Sequence, residues 1–412
     1  MFPASSKVGD NRLAYYKDQV FKAFYVGIAK KVLSLPVKPK FQIIVSNAWG
    51  PPKEGAVSPT GTGRKLWRET VTAVVEATKK FADDIGVDIS QFEFDIWNEP
   101  NHHKFGFFSK RVDRFFPIWR DAFRRIRRTL PKAMIVGPSL AGGWGKKEGG
   151  KSWLARFLLR CIKEQKKSNK RVFPDIISWH NLGTKPKIKQ LVRETIRFSR
   201  RRGPIPRIDI NETVGWRSWR SPGTAVHFLA AVERANYTIK KARKRKTKLP
   251  WVRMCRSRFG PKPTQKPGHP KPERKYDLDT VDDLKAAWHV FKFYASMTGR
   301  MRRTAPRHGV DWLVSENKKG KHIQVLLAPN GSGKRATLHL TDLPGYLRKP
   351  KVKVTIVHID KRRNKTTTVT KTKRVRRASL IIRLRGMGGQ DAYFVTINRG
   401  GERKPKKNTA RA

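Results

Sequence analysis

Apolar runs of strand length recur along the first 256 residues: FQIIVSN (41–47), FEFDIWN (92–98), AMIVGPS (133–139), DIISWHN (175–181), RIDINE (207–212) and WVRMCR (251–256). Between them stand stretches with the period of a helix. In LWRETVTAVVEATKKFADDIG, residues Val71, Val74, Val75, Phe81 and Ile85 make one stripe; in FFPIWRDAFRRIRRTLP, Trp119, Phe123, Ile126 and Leu130 recur at helical spacing. Near-continuous apolar strands that alternate with amphipathic helices predict a parallel sheet covered on both faces. A repeat of about 35–45 residues suits a (β/α) barrel.

The pattern changes beyond residue 300. DTVDDLKAAWHVFKFYASMTGR reads as a last helix ended by Gly299. Period-two segments follow: HIQVLLAP, RATLHLTDL, VKVTIVHID, TTTVTKTKRV, SLIIRLR and AYFVTIN. They predict a C-terminal antiparallel β-sandwich. The expected division is a barrel domain over 1–305, the sandwich over 306–398 and a basic, disordered tail over 399–412, with an irregular Pro- and Lys-rich loop at 257–275. APNGSGKRAT (328–337) echoes a phosphate-binding loop, but Ala328 replaces its first glycine and Arg335 its Ser/Thr. It is expected to be a hairpin turn.

Charge complicates this globular picture. The 412 residues carry 93 Lys+Arg against 31 Asp+Glu, a formal net charge of +62. Such a field attracts polyanions and says nothing of the fold. Twelve Trp and 38% apolar residues exclude a disordered polycation. Much of the charge is expected to be solvated surface, as on the helix bearing Arg120, Arg124, Arg125, Arg127 and Arg128. No base-reading module is recognisable, so specific nucleic-acid binding is not expected, whereas acidic glycans are admissible partners. Cys161 and Cys255 are too few for a disulfide framework; two buried free thiols are the plain reading, with one bridge left open. No apolar run approaches the roughly 18 residues of a membrane span. The opening residues show no basic-then-apolar leader, and the compartment stays open. His102 and His103 lack metal-ligand partners at useful spacing and read as loop residues, and neither metal nor cofactor is expected.

Candidate chemistry stands at two strand ends. Glu99 follows the strand at 92–98 and Glu212 closes the strand at 207–212. In a parallel barrel the C-terminal strand ends share one face, where active sites lie. A separation of three repeats sets the two glutamates on strands three apart, facing across the mouth. Two carboxylates about 5–5.5 Å apart suit glycoside hydrolysis by double displacement, one protonating the leaving oxygen and the other attacking the anomeric carbon.

The motifs resemble a known family. DIWNEPN resembles the acid/base motif at the fourth strand of clan A glycoside hydrolases, and IDINETVGW their nucleophile strand, the seventh. The whole order, from about residue 40 to 398, is most similar to glycoside hydrolase family 39. The resemblance implies a (β/α)8-type (TIM) barrel and a retaining hydrolase acting on oligo- or polysaccharide, with Glu99 as general acid/base and Glu212 as nucleophile. It implies that Asn98 bonds the sugar 2-hydroxyl and that His180 orients a carboxylate or binds substrate. Asn47, Trp49 and Trp216 are implied as sugar contacts, the two tryptophans suiting rim packing as well. Burial near Trp97 is expected to raise the pKa of Glu99. An extracellular location is in keeping with the family.

Two departures from the family are legible. Phe41–Asn47 corresponds to the third strand, so the first two lack a counterpart: the chain is expected to be N-terminally truncated, or its barrel open and impaired. Leu182 stands where the family often has an aromatic two residues after the histidine, and RSRFG lacks the expected tryptophan after the eighth strand. The second reading is therefore a glycosidase-like scaffold that binds acidic glycans.

Overall fold

The computed structural model describes residues 26–35, 39–46, 61, 63–102, 108–109, 111–145, 147–148, 150–183, 186–202, 206–214, 218, 221–243, 252–256, 286–329, 335–363 and 365–399. The chain divides into two compact units, one of residues 1–181, 190–212 and 247–255, the other of 182–189, 213–246 and 256–412.

In the first unit the expected strands form at β1 (Phe41–Val45), β2 (Phe92–Ile96), β3 (Met134–Leu140), β4 (Ile176–Asn181), β5 (Arg207–Thr213) and β6 (Val252–Arg256). They make one sheet whose order is the order of the chain, with β1–β2, β2–β3 and β3–β4 registered in parallel. Among the described residues β1 and β6 are not paired, so the sheet is open, as six strands of a (β/α) barrel must be. It is nevertheless curled. Gln42 on β1 donates to Asp209 on β5 at 2.9 Å, and Arg253 on β6 donates to Glu93 on β2 at 2.8 Å. Strands four places apart thus touch across a trough.

The pleat explains the lining of that trough. Successive side chains of β2 point to opposite faces, so Glu93 and Asp95 face inward while Phe92, Phe94 and Ile96 face the helices. Those helices are α1 (Val26–Leu33), α2 (Gly63–Asp84), α3 (Val112–Thr129), α4 (Trp153–Ser168) and α5 (Ile188–Arg200). Phe115, Trp119 and Phe123 of α3 are buried with Trp153 and Phe157 of α4, and Trp119 meets Phe157 edge to face at 5.0 Å. The basic face of α3 is less solvated than its pattern predicts. Arg124 bonds Glu164 at 2.8 Å, Arg127 bonds Asp175 at 2.5 Å, and Arg120 also reaches Glu164. These guanidinium groups tie neighbouring elements together. Cys161 is a buried free thiol; the side chain of Cys255 lies outside the described residues.

The second unit contains α6 (Pro222–Arg243) and α7 (Ala286–Ser296), then β7 (Val310–Asn317), β8 (His322–Pro329), β9 (Arg335–Leu340), β10 (Lys351–Asp360), β11 (Lys365–Arg374), β12 (Leu380–Arg385) and β13 (Ala392–Arg399). An antiparallel sheet runs β11–β10–β13–β8–β7 and ends on the short strand Arg300–Met301; β9 and β12 pair separately as a ribbon. Ile323, Val325, Val352, Val354, Val395 and Ile397 of the sheet share one core with Leu338, Leu380, Ile382 and Leu384 of the ribbon. The opposite face meets the helices: Phe394 stacks on Phe293 at 4.6 Å, and Asp311 accepts from Arg234 at 2.6 Å.

Two expectations change here. Strand β7 was not legible, because VDWLVSEN carries Asp311, Ser315 and Glu316 in buried positions that an alternation of apolar and polar residues would not place there. The strands that flank residues 330–334 do not pair with each other as a hairpin would require: β8 belongs to the sheet and β9 to the ribbon. Residues 330–334 themselves lie outside those described, as do the loop at 257–275 and the tail from residue 400.

Candidate active site

Three strand ends bring the predicted residues together. After β2 the backbone takes left-handed conformations at Trp97 (φ 74°) and Glu99 (φ 46°), unusual for side chains of this size. The turn is pinned on both sides. Trp97 N–H donates to Val45 O at 2.8 Å, and Glu99 N–H donates to Ser139 O at 2.9 Å. Asn101 adds a two-way bond to Ala141, at 3.0 and 2.8 Å, locking the loop after β2 to the loop after β3. Strand β3 is itself irregular between Gly137 and Leu140, and Ser139 is left-handed there (φ 55°). Such a bulge re-aims a side chain, and the Ser139 hydroxyl enters the trough.

His180, at the end of β4, is the hub. Its Nδ1 lies 2.8 Å from Glu99 Oε1 and 3.7 Å from Glu212 Oε2. Laid end to end, these two distances bound the separation of the carboxylate oxygens. The imidazole is 1% exposed, whereas the Glu99 and Glu212 side chains keep 13% and 27% of their surfaces. Asn98 is buried, and its Oδ1 has no hydrogen-bond partner among the described residues. Asn47, Trp49 and Trp216 lie outside the described residues. Leu182 is exposed.

Below the hub lies a polar layer that sequence reasoning missed. His180 Nε2 is 3.2 Å from Ser139 Oγ, which donates to Asp95 Oδ2 at 2.9 Å. Asn211 spans the same pair, its amide donating to Asp95 Oδ2 and, at 2.6 Å, to Ser139 Oγ. Deeper still, Arg253 binds both Glu93 oxygens and reaches Asp209 at 2.8 Å. The one sequence signal for this layer was the acidic alternation in FEFDI, which places Glu93 and Asp95 on one face; nothing local marked Ser139 as their partner.

The electrostatics follow from this packing. Burial pushes the Glu99 carboxyl up, but the His180 bond and charge, with His102 beyond, outweigh it and hold Glu99 below the ordinary glutamate value. The expected rise of Glu99 beside Trp97 is therefore reversed. The Trp97 ring instead packs edge to face on Trp67 and Phe108, at 5.3 and 5.4 Å. Glu212 moves the other way: burial raises it, the His180 charge offsets part of the rise, and the Glu99 charge adds to it. Burial would lower His180, yet the Glu99 bond and the charges of Glu212, Glu99 and Asp95 leave it raised. Asp95 is pushed up to about 7 by complete burial, against the bonds and charge that Ser139, His180 and Asn211 supply.

Comparison with known proteins agrees with this architecture. Residues 54–197 match the model of Glycosyl hydrolases family 39. The structure is similar to that of N2152 from Neocallimastix frontalis, with a TM-score of 0.61 and 20% identity over 83% of this chain and 77% of that one. It is also similar to the GH39 enzyme from Xanthomonas axonopodis pv. citri (TM-score 0.53, 15% identity, 81% and 73% of the two chains). A monomeric beta-xylosidase from Caulobacter crescentus CB15 gives a TM-score of 0.52 at 16% identity, over 82% and 75%. Residues 54–197 are thus similar to glycoside hydrolase family 39, and the fold is similar to that of solved glycoside hydrolases such as the GH39 enzyme from Xanthomonas axonopodis pv. citri.

Proposed function

We propose that the chain is a retaining glycoside hydrolase in which Glu99 is the general acid/base and Glu212 the nucleophile. The observation that carries this reading is that both carboxylates, arriving from strands three apart in the sheet, address the same nitrogen of a buried histidine. The separation bounded by those distances suits the roughly 5–5.5 Å of double displacement better than the wider gap of about 6.5–9.5 Å that admits a water in inverting enzymes. Glu212 attacks the anomeric carbon as a carboxylate, although burial raises its pKa. Glu99 delivers a proton to the leaving oxygen, although the His180 bond holds its pKa below the ordinary glutamate value, and then takes a proton from the water that releases the sugar. The unpartnered Asn98 Oδ1 is an acceptor for a sugar hydroxyl. A panel of aryl β-xyloside, β-glucoside, β-galactoside, α-iduronide and β-glucuronide tests the reading. Glu212→Gln should lower kcat by several orders of magnitude, and Glu99→Gln by roughly 10²–10⁴-fold. Unchanged rates in both variants would sink the assignment.

A second reading is a scaffold that holds acidic glycans. Strand β11 favours it: it is exposed along nearly its whole length and carries Lys365, Lys371, Lys373 and Arg374.

A further inference from the structure

We propose that Asp95 is a buried proton reservoir wired to Glu99 through Ser139 and His180, so that the acid/base draws on a proton held beneath the site. The inference rests on Glu99 being the acid/base. Its support is a continuous chain of four groups: Asp95 Oδ2 to Ser139 Oγ at 2.9 Å, Ser139 Oγ to His180 Nε2 at 3.2 Å, and His180 Nδ1 to Glu99 Oε1 at 2.8 Å. Asp95, Ser139 and His180 are each at most 1% exposed.

The donor inventory of each group permits two directions for the chain. With Asp95 protonated, its O–H donates to Ser139, Ser139 donates to His180 Nε2, and His180 Nδ1–H donates to the Glu99 carboxylate. When each proton steps along its bond, Asp95 becomes the carboxylate that accepts from Ser139. Ser139 then accepts from Nε2–H, and Nδ1 accepts from the Glu99 carboxylic acid. One proton has left Asp95 and one has arrived on Glu99, with no other change in charge. Asn211 fits both states, since its two amide hydrogens address Asp95 Oδ2 and Ser139 Oγ, the atoms that accept in either direction. The charged groups facing the wire are Asp209, itself bound to Arg253, at the Asp95 end, and His102 and Glu212 at the Glu99 end. Burial holds the proton on Asp95 and the Asp209 charge adds to it, while the Ser139 and Asn211 bonds and the His180 charge oppose it.

The test joins kinetics to nitrogen-15 spectroscopy of the imidazoles. A dinitrophenyl glycoside departs without an acid, whereas a methyl glycoside needs one. Asp95→Asn and Ser139→Ala should each lower kcat/KM for the methyl glycoside roughly 10–100-fold and change kcat/KM for the dinitrophenyl glycoside, which reports only a first step that needs no acid, by no more than about twofold. The double variant should lose no more than either single one. In the wild type, neutral His180 should populate both the Nδ1–H and Nε2–H tautomers; in Asp95→Asn the ratio should shift toward Nε2–H, because Ser139 must then donate to the amide oxygen that Asn211 also addresses. Equal losses on both leaving groups, or the same tautomer ratio of neutral His180 in wild type and Asp95→Asn, would overturn the wire. Failure of the hydrolase is distinguishable from failure of the wire. A wild type that cleaves neither glycoside refutes the hydrolase, while the His180 spectra still decide the wire. Should Asp95→Asn fail to fold, the kinetics and the His180 tautomer ratio of Ser139→Ala carry the same decision.

Discussion

Arg253 on the sixth strand grips the carboxylate of Glu93 on the second, across the trough of the open sheet. Among the described residues this sheet has two unpaired edges, so side-chain bonds across the trough add to the backbone ladders in holding the curl. Arg253→Met leaves Glu93 and Asp209 buried without their cation, and breaking such a pair costs about 3–5 kcal/mol. Urea unfolding should show a lower midpoint with an unchanged slope. A midpoint equal to the wild type would mean that the curl is held elsewhere.

The Glu99–His180 pair should give the first unit a stability optimum in mildly acidic solution. His180 is raised in the folded state, so its contribution is complete below the ordinary histidine value and is lost as pH rises through the folded one. Glu99 is lowered, so its contribution is complete above the ordinary glutamate value and is lost as pH falls through the folded one. The two windows overlap between about pH 4.3 and 6.5. There Glu99→Gln should cost about 1.5–3 kcal/mol, the worth of a charged hydrogen bond. The gap should shrink on both sides of the window; a gap independent of pH contradicts the pairing.

Gly137 is a packing requirement. A methyl group there would lie 2.4 Å from the Trp119 ring, on a backbone with φ +154°. Gly137→Ala should therefore destabilise by about 1–3 kcal/mol, the ordinary cost of overpacking. Gly137→Ala combined with Trp119→Phe should recover part of that loss in thermal unfolding. Equal losses with and without the indole would show that backbone strain, and not the ring, is responsible.

Polyanion binding has a sharp electrostatic signature. On a heparin column or by titration, log affinity should fall linearly with log salt. Replacing Lys365, Lys371, Lys373 and Arg374 by glutamine should reduce that slope by roughly one unit for each of these cations that pairs with an anionic group of the ligand. A slope that does not change places the binding elsewhere on this basic surface.

How far the sequence carried differs between the two halves of the site. FEFDIWNEP displays both its strand and its break, so β2 and Glu99 were legible, as was Glu212 at the end of β5. His180 was legible only as a strand end. That its Nδ1 faces Glu99 at 2.8 Å depends on left-handed turns at Trp97 and Glu99, which no propensity would assign to those residues. Ser139 was invisible because a bulge in β3, unmarked by any period in AMIVGPS, turns it inward. In the second unit, β7 was hidden by Asp311, a buried acid whose partner Arg234 lies 77 positions earlier. The strand period fails where burial is satisfied by a remote charge.

The first sheet keeps its strands in chain order, β1 to β6, without a single swap. Each new strand from β2 onward finds its template already laid down by the strand before it. Assembly can therefore follow synthesis, one crossover at a time, with loop closures no longer than a single repeat. The bonds that span the trough, Gln42 to Asp209 and Arg253 to Glu93, must wait until the fifth and sixth strands exist. The side-chain clamps on the curvature, and the meeting of Glu212 with His180 and Glu99, thus depend on residues from the far end of the unit.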